Sequence, residues 1–489
     1  MSYLDLSIFE IHEALVKGET TPLELTKEAI ARAKADTNNA FETICEKEAL
    51  EFAGSLKEVE ADNVFWGIPF LAKDNFSTKG IETTASSNIL NGYVPLFDAH
   101  VIKALKDKKA VLIGKSTLDE LAMGGTGTTG HKGMTYNPYD ETKTRLVGGS
   151  SCGSAAAVAA SIVPFALGSD TGDSVRKPAS YAGLVGFKPT WSRISRFGLF
   201  PFAPSLDHVA YFTRNVKDAA LALEVLAGRC DKDSTSSTKP VEEYSKHVND
   251  SIVGKKVAVL KEITDSITDT EIIDKFNKSV EALKKAGAIV DYVEFGRESL
   301  ASLYATYMVI SCAEATSNNA NLDGIKFGPY YEGKSYQEVM YQARTKGFSE
   351  LIKRRFVIGS YCLMKENQEE LFLAAQRNRA KIVKRTNDIL SDYDFIYVPA
   401  APSVAPKKDA KSDKLSDEYL IADNHLALGN FAGLPSITIP LFLENGLPVG
   451  VNVMGRAFEE SNVLAMASAL ENITGLNGLS VKNKKEGNL

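Results

Sequence analysis

The sequence has little that would commit it to a membrane, a secretory route, a metal or a nucleic-acid groove. Its longest nearly apolar stretch, Ala155 to Leu167, falls short of the ~20 residues a membrane span needs and is broken by Ser161 and Pro164. The N-terminus, Met1 to Glu13, carries acidic residues and neither an Arg-rich nor an apolar leader, so no targeting segment and a cytoplasmic location are expected. Five cysteines, Cys45, Cys152, Cys230, Cys312 and Cys362, are scattered without a C-x-x-C pair. They read as reduced thiols, with no disulfide framework and no metal site. Lys and Arg form no basic block and the formal net charge is -6, so no phosphate-tracking groove is advertised. If nucleic acid is involved, another chain holds it. Internal repeats and heptad runs are absent as well.

What is there is an ordinary globular composition, 44% apolar and 24% charged over 489 residues, enough to build a large core without disulfides. Ile8, Ile11 and Leu15 recur at helix spacing, and Thr21-Pro22-Leu23-Glu24 is a capping box that starts a second helix. Strand-like runs follow at Val64 to Ala72, Ala110 to Ile113, Val257 to Leu260, Ile289 to Phe295, Phe395 to Val398, Ile437 to Leu441 and Val449 to Val453, with helical segments between many of them. This interleaving predicts an α/β protein with helices on both faces of a sheet. Asn445-Gly446 between two apolar runs signals a hairpin and an antiparallel edge, hence a mixed sheet. Asp231 to Asn249 and Ser403 to Glu418 read as surface excursions, and 481–489 as a disordered tail.

Chemistry concentrates in three places. The densest run of small residues, Val147-Gly148-Gly149-Ser150-Ser151-Cys152-Gly153-Ser154, precedes the alanine-rich Ala155 to Ala160. Its glycines let backbone approach a ligand, and a helix opening there offers unpaired N–H donors to an anion or oxyanion; taken alone, the run is equally a capped helix start. The second run, Gly168-Ser169-Asp170-Thr171-Gly172-Asp173-Ser174-Val175-Arg176, follows the strand-like Val163 to Leu167. Consecutive amides in a tight turn suit a negative charge developing beside a serine hydroxyl, although alone the run reads as a polar turn. The third is Lys73, which directly continues Phe70-Leu71-Ala72. Most lysines are solvated, but one at the buried end of a strand loses its charge by desolvation and can act as a general base.

Two familiar motifs are set aside. Gly149-Ser150-Ser151-Cys152-Gly153 satisfies G-x-S-x-G, but a nucleophile elbow needs a strand immediately before it and an ordered Asp and His after it. Thr142 to Leu146 is a poor strand, and none of His208, His247 and His425 has a distinctive setting. Gly114-Lys115-Ser116 resembles the end of a P-loop, yet Lys109 stands where the first glycine belongs, so no ATP site follows.

Gly67-Ile68-Pro69 through Lys73-Asp74-Asn75, Gly148 through Ala155, Gly168 through Arg176, and Gly183 to Pro189 together resemble the amidase signature family in order and spacing, including the 24 residues between Ser150 and Ser174. Further segments, Ala110 to Lys115, Asp119 to Gly125, Ser192 to Leu199, Glu314 to Asn318 and Asn430 to Pro435, make the sequence most similar, within that family, to the ammonia-generating subunits of tRNA-dependent amidotransferases. The resemblance covers nearly the whole chain. It implies a single domain over 1–480, with a helical N-terminal segment of about 1–60 and a signature core of about 64–215, built on a large mixed sheet. It also implies Ser174 as nucleophile, Ser150 as the intermediate serine of a cis peptide unit, and Lys73 as the base that takes the proton through Ser150, a triad with neutral lysine in place of histidine. The backbone N–H groups of Thr171, Gly172, Asp173 and Ser174 become the oxyanion hole. Gly124, Gly125 and Tyr307 fall in the substrate site, with Arg355 (or its neighbour Arg354) for an α-carboxylate and Asp423 for an α-amino group. The implied reaction hydrolyses the side-chain amide of glutamine through a glutamyl-enzyme. The ammonia then serves conversion of Glu-tRNA(Gln) to Gln-tRNA(Gln). The implied partners are amidotransferase subunits B and C and, through the complex, Glu-tRNA(Gln). No cofactor is expected in this chain, ATP and Mg being used by the partner subunit.

The sequence departs from the family pattern at three points. Asp173 stands where the family has glycine; only its N–H is needed, but its carboxylate opposes an adjacent oxyanion unless a cation neutralises it. The loop Thr126-Gly127-Thr128-Thr129-Gly130 replaces the usual Ser-Thr-Glu-Asn/Thr-Ser, and Cys152 replaces a glycine. That loop is expected to border the substrate pocket or the ammonia route, which leaves glutamine against asparagine open. Two alternatives therefore stand beside a glutaminase role within a complex: a stand-alone amidase of the same family, and an assembly subunit silenced by Asp173.

Overall fold

The first two helices start where their capping residues place them. Ser7 and Glu10 cap Ile8–Val16, and Thr21 and Glu24 exchange reciprocal side-chain-to-backbone bonds (3.0 and 3.2 Å) at the head of Pro22–Lys34. Ile8, Ile11 and Leu15 are buried on one face, as their spacing predicts. The computed structural model describes residues 2–410 and 416–489; 411–415, part of the excursion Ser403 to Glu418, lie outside the described residues.

Among the described residues, eleven strands form one sheet: β1 (Phe41–Ile44), β2 (Pro69–Lys73), β3 (Val111–Ser116), β4 (Phe165–Asp170), β5 (Val185–Lys188), β6 (His208–Thr213), β7 (Lys256–Leu260), β8 (Ile289–Val293), β9 (Phe395–Pro399), β10 (Ser436–Glu444) and β11 (Leu447–Gly455). Their order is β1-β3-β2-β4-β6-β5-β10-β11-β9-β7-β8. β2 runs parallel to β3 and β4, and β7 parallel to β8 and β9; the remaining pairings are antiparallel, so the sheet is mixed. Alternation along β7 and β9 shows the layering. Val257, Val259, Phe395 and Tyr397 join a core with helices Thr270–Lys285 and Glu460–Thr474. Ala258, Leu260, Ile396 and Val398 point the other way, into a core with Leu303–Asn318, Glu350–Leu363 and Ala374–Asp392. Helices thus cover both faces.

Three expectations are corrected. The Asn445-Gly446 hairpin exists, with positive φ at both residues (49° and 80°) as a two-residue turn requires, but β10 and β11 lie inside the sheet between β5 and β9. Both strands are buried along most of their length, which an edge strand rarely is; the edges are the short β1 and the largely exposed β8. The run Gly168 to Asp170 is not a turn but the end of β4, where Ser169 pairs with Val209 and Asp170 with His208. Finally β1, β5 and β6 were not expected: β1 and β5 lack an apolar run, while β6 does carry the short run Val209-Ala210-Tyr211-Phe212. Residues 481–489 contain no helix or strand, and the amides of Val481 and Asn488 donate to Ala159 and Thr474.

β2, β3 and β4 are the parallel neighbours from whose C-terminal ends the chemistry-bearing loops emerge, the usual position of a site in such sheets. The turn after β4 is held by a buried ion pair. Both Asp170 and Arg176 are fully buried; Arg176 Nη2 and Nε donate to Asp170 at 2.9 and 3.1 Å, and Nη2 also donates to the Gly172 carbonyl at 2.7 Å. Burial pushes the Asp170 carboxyl up, but the Arg176 guanidinium overrides it and holds it well below the usual carboxylate range. Asp170→Ala leaves the guanidinium buried without its partner, and chemical denaturation is expected to record a loss of about 3–5 kcal/mol.

Candidate active site

Lys73 ends β2 and is 0% exposed. Its Nζ lies 2.7 Å from Ser150 Oγ and 2.9 Å from both Ser151 Oγ and Ser169 Oγ. No carboxylate pairs with it among the described residues, and burial brings the amine down from 10.5 to about 7. Ser169 is held in turn by Asn75, whose Nδ2 donates to its hydroxyl at 2.9 Å. Sequence reasoning missed Ser169 and Asn75. Pairing of Phe70, Leu71 and Ala72 with Phe165, Ala166 and Leu167 is what sets the end of β2 beside Ser169.

Ser150 follows a cis peptide bond from Gly149, as the resemblance implied, and Ser151 immediately precedes helix Cys152–Ala159. Gly149 has no alternative here: a Cβ would come within 2.0 Å of Asp119 Oδ2. Asp119, also missed, folds the loop that departs from the family. Its carboxylate accepts the amides of Thr126, Gly127, Thr128 and Thr129 at 2.9–3.1 Å and the Thr129 hydroxyl at 2.9 Å. The Gly149 amide then donates to the Gly125 carbonyl, joining that loop to the serine segment.

Beyond β4, the Ser151 amide donates to the Ser174 carbonyl at 3.2 Å, which binds the two serine segments together. The Thr171 hydroxyl donates to Asp207, while the amides of Gly172, Asp173 and Ser174 have no acceptor among the described residues. Unpaired amides in a turn next to a serine are the donors that an oxyanion needs.

Ser174 opens on a cavity of about 360 Å³, within the usual range for a small-molecule site. Gly124, Gly125, Tyr307, Arg355 and Asp423, all expected in the substrate site, line it together with Gly172, Asp173 and Thr126. Lys73, Ser150 and Thr171 do not line it; they are buried. Arg355 faces the cavity, whereas Arg354 is exposed to solvent. The Arg355 guanidinium makes no ion pair among the described residues, lies 5.6 Å from the centre of the Phe202 ring, and has a buried Nε without a partner. Asp423 is already engaged: Lys177 Nζ lies 3.1 Å from its Oδ1, and the Tyr419 hydroxyl donates to Oδ2 at 3.0 Å. The same Nζ lies 2.7 Å from Asp173 Oδ2. Lys177 is the fourth functional candidate missed.

Neither motif set aside earlier finds support. No strand precedes Ser151, and His208, His247 and His425 bond to Leu206, Asp250 and Pro399, not to a serine. Gly114-Lys115-Ser116 lies within β3, where buried Lys115 pairs with Asp74 at 3.0 Å. The five cysteines are free and buried. Among the described residues no His, Cys, Asp or Glu cluster is arranged to hold a metal, and no helix is long and apolar enough to cross a membrane.

The profile of the Amidase family matches residues 24–464. The chain belongs to the amidase signature family. This amidase chain is 38% identical over 480 residues to the A-subunit of glutamyl-tRNA(Gln) amidotransferase from Streptococcus pneumoniae, covering 97% of each chain. Against that of Latilactobacillus sakei it is 38% identical over 484 residues, 98% of each. Among solved structures, it is similar to the A-subunit of glutamyl-tRNA(Gln) amidotransferase from Thermotoga maritima (TM-score 0.77, 35% identity, 96% of this chain and 95% of that one). It also resembles the native peptide amidase of Stenotrophomonas maltophilia (TM-score 0.79, 26% identity, 96% and 97%).

Proposed function

We propose that this amidase chain is the glutamine-hydrolysing A-subunit of glutamyl-tRNA(Gln) amidotransferase, with Ser174 as nucleophile, Ser150 as proton relay and Lys73 as base. The observation that carries the reading is a buried lysine near neutrality, bonded to Ser150, behind a cavity that presents Ser174 between an unpaired Arg355 and the carboxylates Asp173 and Asp423. Similarity to the amidotransferase relatives over nearly their full length supports the choice of substrate.

A neutral amine has a lone pair, so Lys73 accepts the proton of Ser150 while Ser150 takes that of Ser174. Ser174 Oγ attacks the side-chain amide carbon of glutamine, and the amides of Thr171, Gly172, Asp173 and Ser174 receive the oxyanion. The proton returns through Ser150 to the leaving nitrogen, releasing ammonia and a glutamyl ester that water cleaves to glutamate. Arg355 takes the α-carboxylate, with Tyr307, Gly124 and Gly125 shaping the cavity and Asp423 at the amino end. Subunits B and C complete the assembly, and the partner subunit uses ATP and Mg to activate Glu-tRNA(Gln), in the cytoplasm.

Ammonia release from glutamine, measured for the chain alone and with subunits B and C, Glu-tRNA(Gln) and ATP, tests this reading. The expected result is release that rises when the complex is complete. Equal turnover of simple amides with or without partners would point to a stand-alone amidase. Arg355→Gln is expected to raise the KM for glutamine by about 10–100-fold with a smaller effect on kcat, because it removes a bidentate carboxylate contact made in ground and transition state alike.

A further inference from the structure

Asp173 and Lys177 need a joint account. Asp173 adjoins the nucleophile, and its amide belongs to the proposed oxyanion site, so an unpaired carboxylate there would oppose the charge that forms on attack. Lys177 stands one turn on, with its amide donating to the Asp173 carbonyl and its Nζ 2.7 Å from Asp173 Oδ2 and 3.1 Å from Asp423 Oδ1. All three side chains line the cavity. Burial works against the Lys177 cation, but the two carboxylates override it and hold its amine well above the usual lysine range, so the charge persists.

We infer that Lys177 is a positioning residue that divides its charge between Asp173 and Asp423, leaving the amino end of the cavity one net negative charge for the α-ammonium of an amino-acid amide while shielding the oxyanion at Ser174. This rests on the functional reading above. It makes Asp173 and Lys177 a compensating pair. Removing Lys177 alone leaves two uncompensated carboxylates beside the nucleophile. Removing Asp173 alone commits Lys177 to Asp423 and cancels the charge that attracts the ammonium. Removing both restores a lone carboxylate, Asp423.

The test is a double-mutant cycle in the assembled complex, with glutamine and with 4-carbamoylbutanoate, which has the same amide and carboxylate but no α-amino group. Lys177→Met is expected to lower kcat for both substrates by about 100-fold, and Asp173→Gly to raise the KM for glutamine about tenfold without raising that for 4-carbamoylbutanoate. The double variant Asp173→Gly/Lys177→Met should regain at least about tenfold of what Lys177→Met loses. Losses that simply multiply in the double variant, or an Asp173→Gly effect equal for the two substrates, would overturn the inference. The substrate comparison stands even if Lys177→Met does not fold. If the unmodified complex releases no ammonia from glutamine, the functional reading itself fails, and this inference with it.

Discussion

Replacing Ser174 with alanine is expected to lower glutamine hydrolysis by the assembled complex about 10⁴–10⁶-fold, with glutamine still bound. The size of the effect follows from the geometry. Ser174 is the serine that both lines the cavity and sits beside amides without acceptors, whereas Ser150, Ser151 and Ser169 are buried around Lys73. Its structural work is done by its backbone carbonyl, which accepts the Ser151 amide and survives the substitution. Folding should therefore be retained, and ammonia release reports on the chemistry. Ser151→Ala provides the contrast, because that hydroxyl belongs to the set around the base and the G-x-S-x-G pattern centred on it has neither strand nor histidine. If Ser174→Ala kept more than a hundredth of the activity, the nucleophile would have to be sought elsewhere. If the unmodified complex were inert, a role in assembly with the site silenced would gain; Lys177 beside Asp173 argues against it.

The residues that bear the chemistry were legible because each breaks a local rule. Lys73 ends an apolar strand, and Ser150 and Ser174 stand among glycines where backbone must come close. What was not legible depends on approach between distant segments. Ser169 reaches both Lys73 and Asn75 only because β2 and β4 are parallel neighbours, which no pattern within either strand reveals. The Asp119 carboxylate gathers amides seven to ten residues downstream, a loop closure with no periodic signature. The i,i+4 spacing of Asp173 and Lys177 was visible, but Asp423 lies 246 residues beyond Lys177. The same limit applies to the fold. Asn445-Gly446 identifies a hairpin from its own two residues, yet its place inside the sheet is decided by β5 and β9. β1 and β5 are strands by virtue of their neighbours, with Glu42 and Thr43 inside β1 and Gly186 inside β5 breaking the apolar pattern, whereas β6 carried a signal in Val209 to Phe212, a run too short to tell strand from buried helix by itself.

The second large effect concerns Lys73 and has two independent readouts. Only the neutral amine can accept a proton, and burial has brought it to about 7. kcat/KM for glutamine should therefore rise with pH through about 7 and level off above it. Lys73→Met should lose about 10³–10⁵-fold and Lys73→Arg a similar amount, since guanidinium stays protonated. The stability readout has a fixed sign. In the folded chain the amine titrates near 7, against 10.5 ordinarily, so between those values the unfolded chain binds the extra proton and stability rises with pH. Below about 7 both states are protonated and this contribution no longer changes. Over pH 7–10 the unmodified chain should gain about 1.4 kcal/mol per pH unit relative to Lys73→Met, measured by denaturant unfolding of the two proteins side by side. A slope that Lys73→Met leaves unchanged would mean that the lysine is charged in the folded protein, and a base that is already protonated cannot start the relay through Ser150.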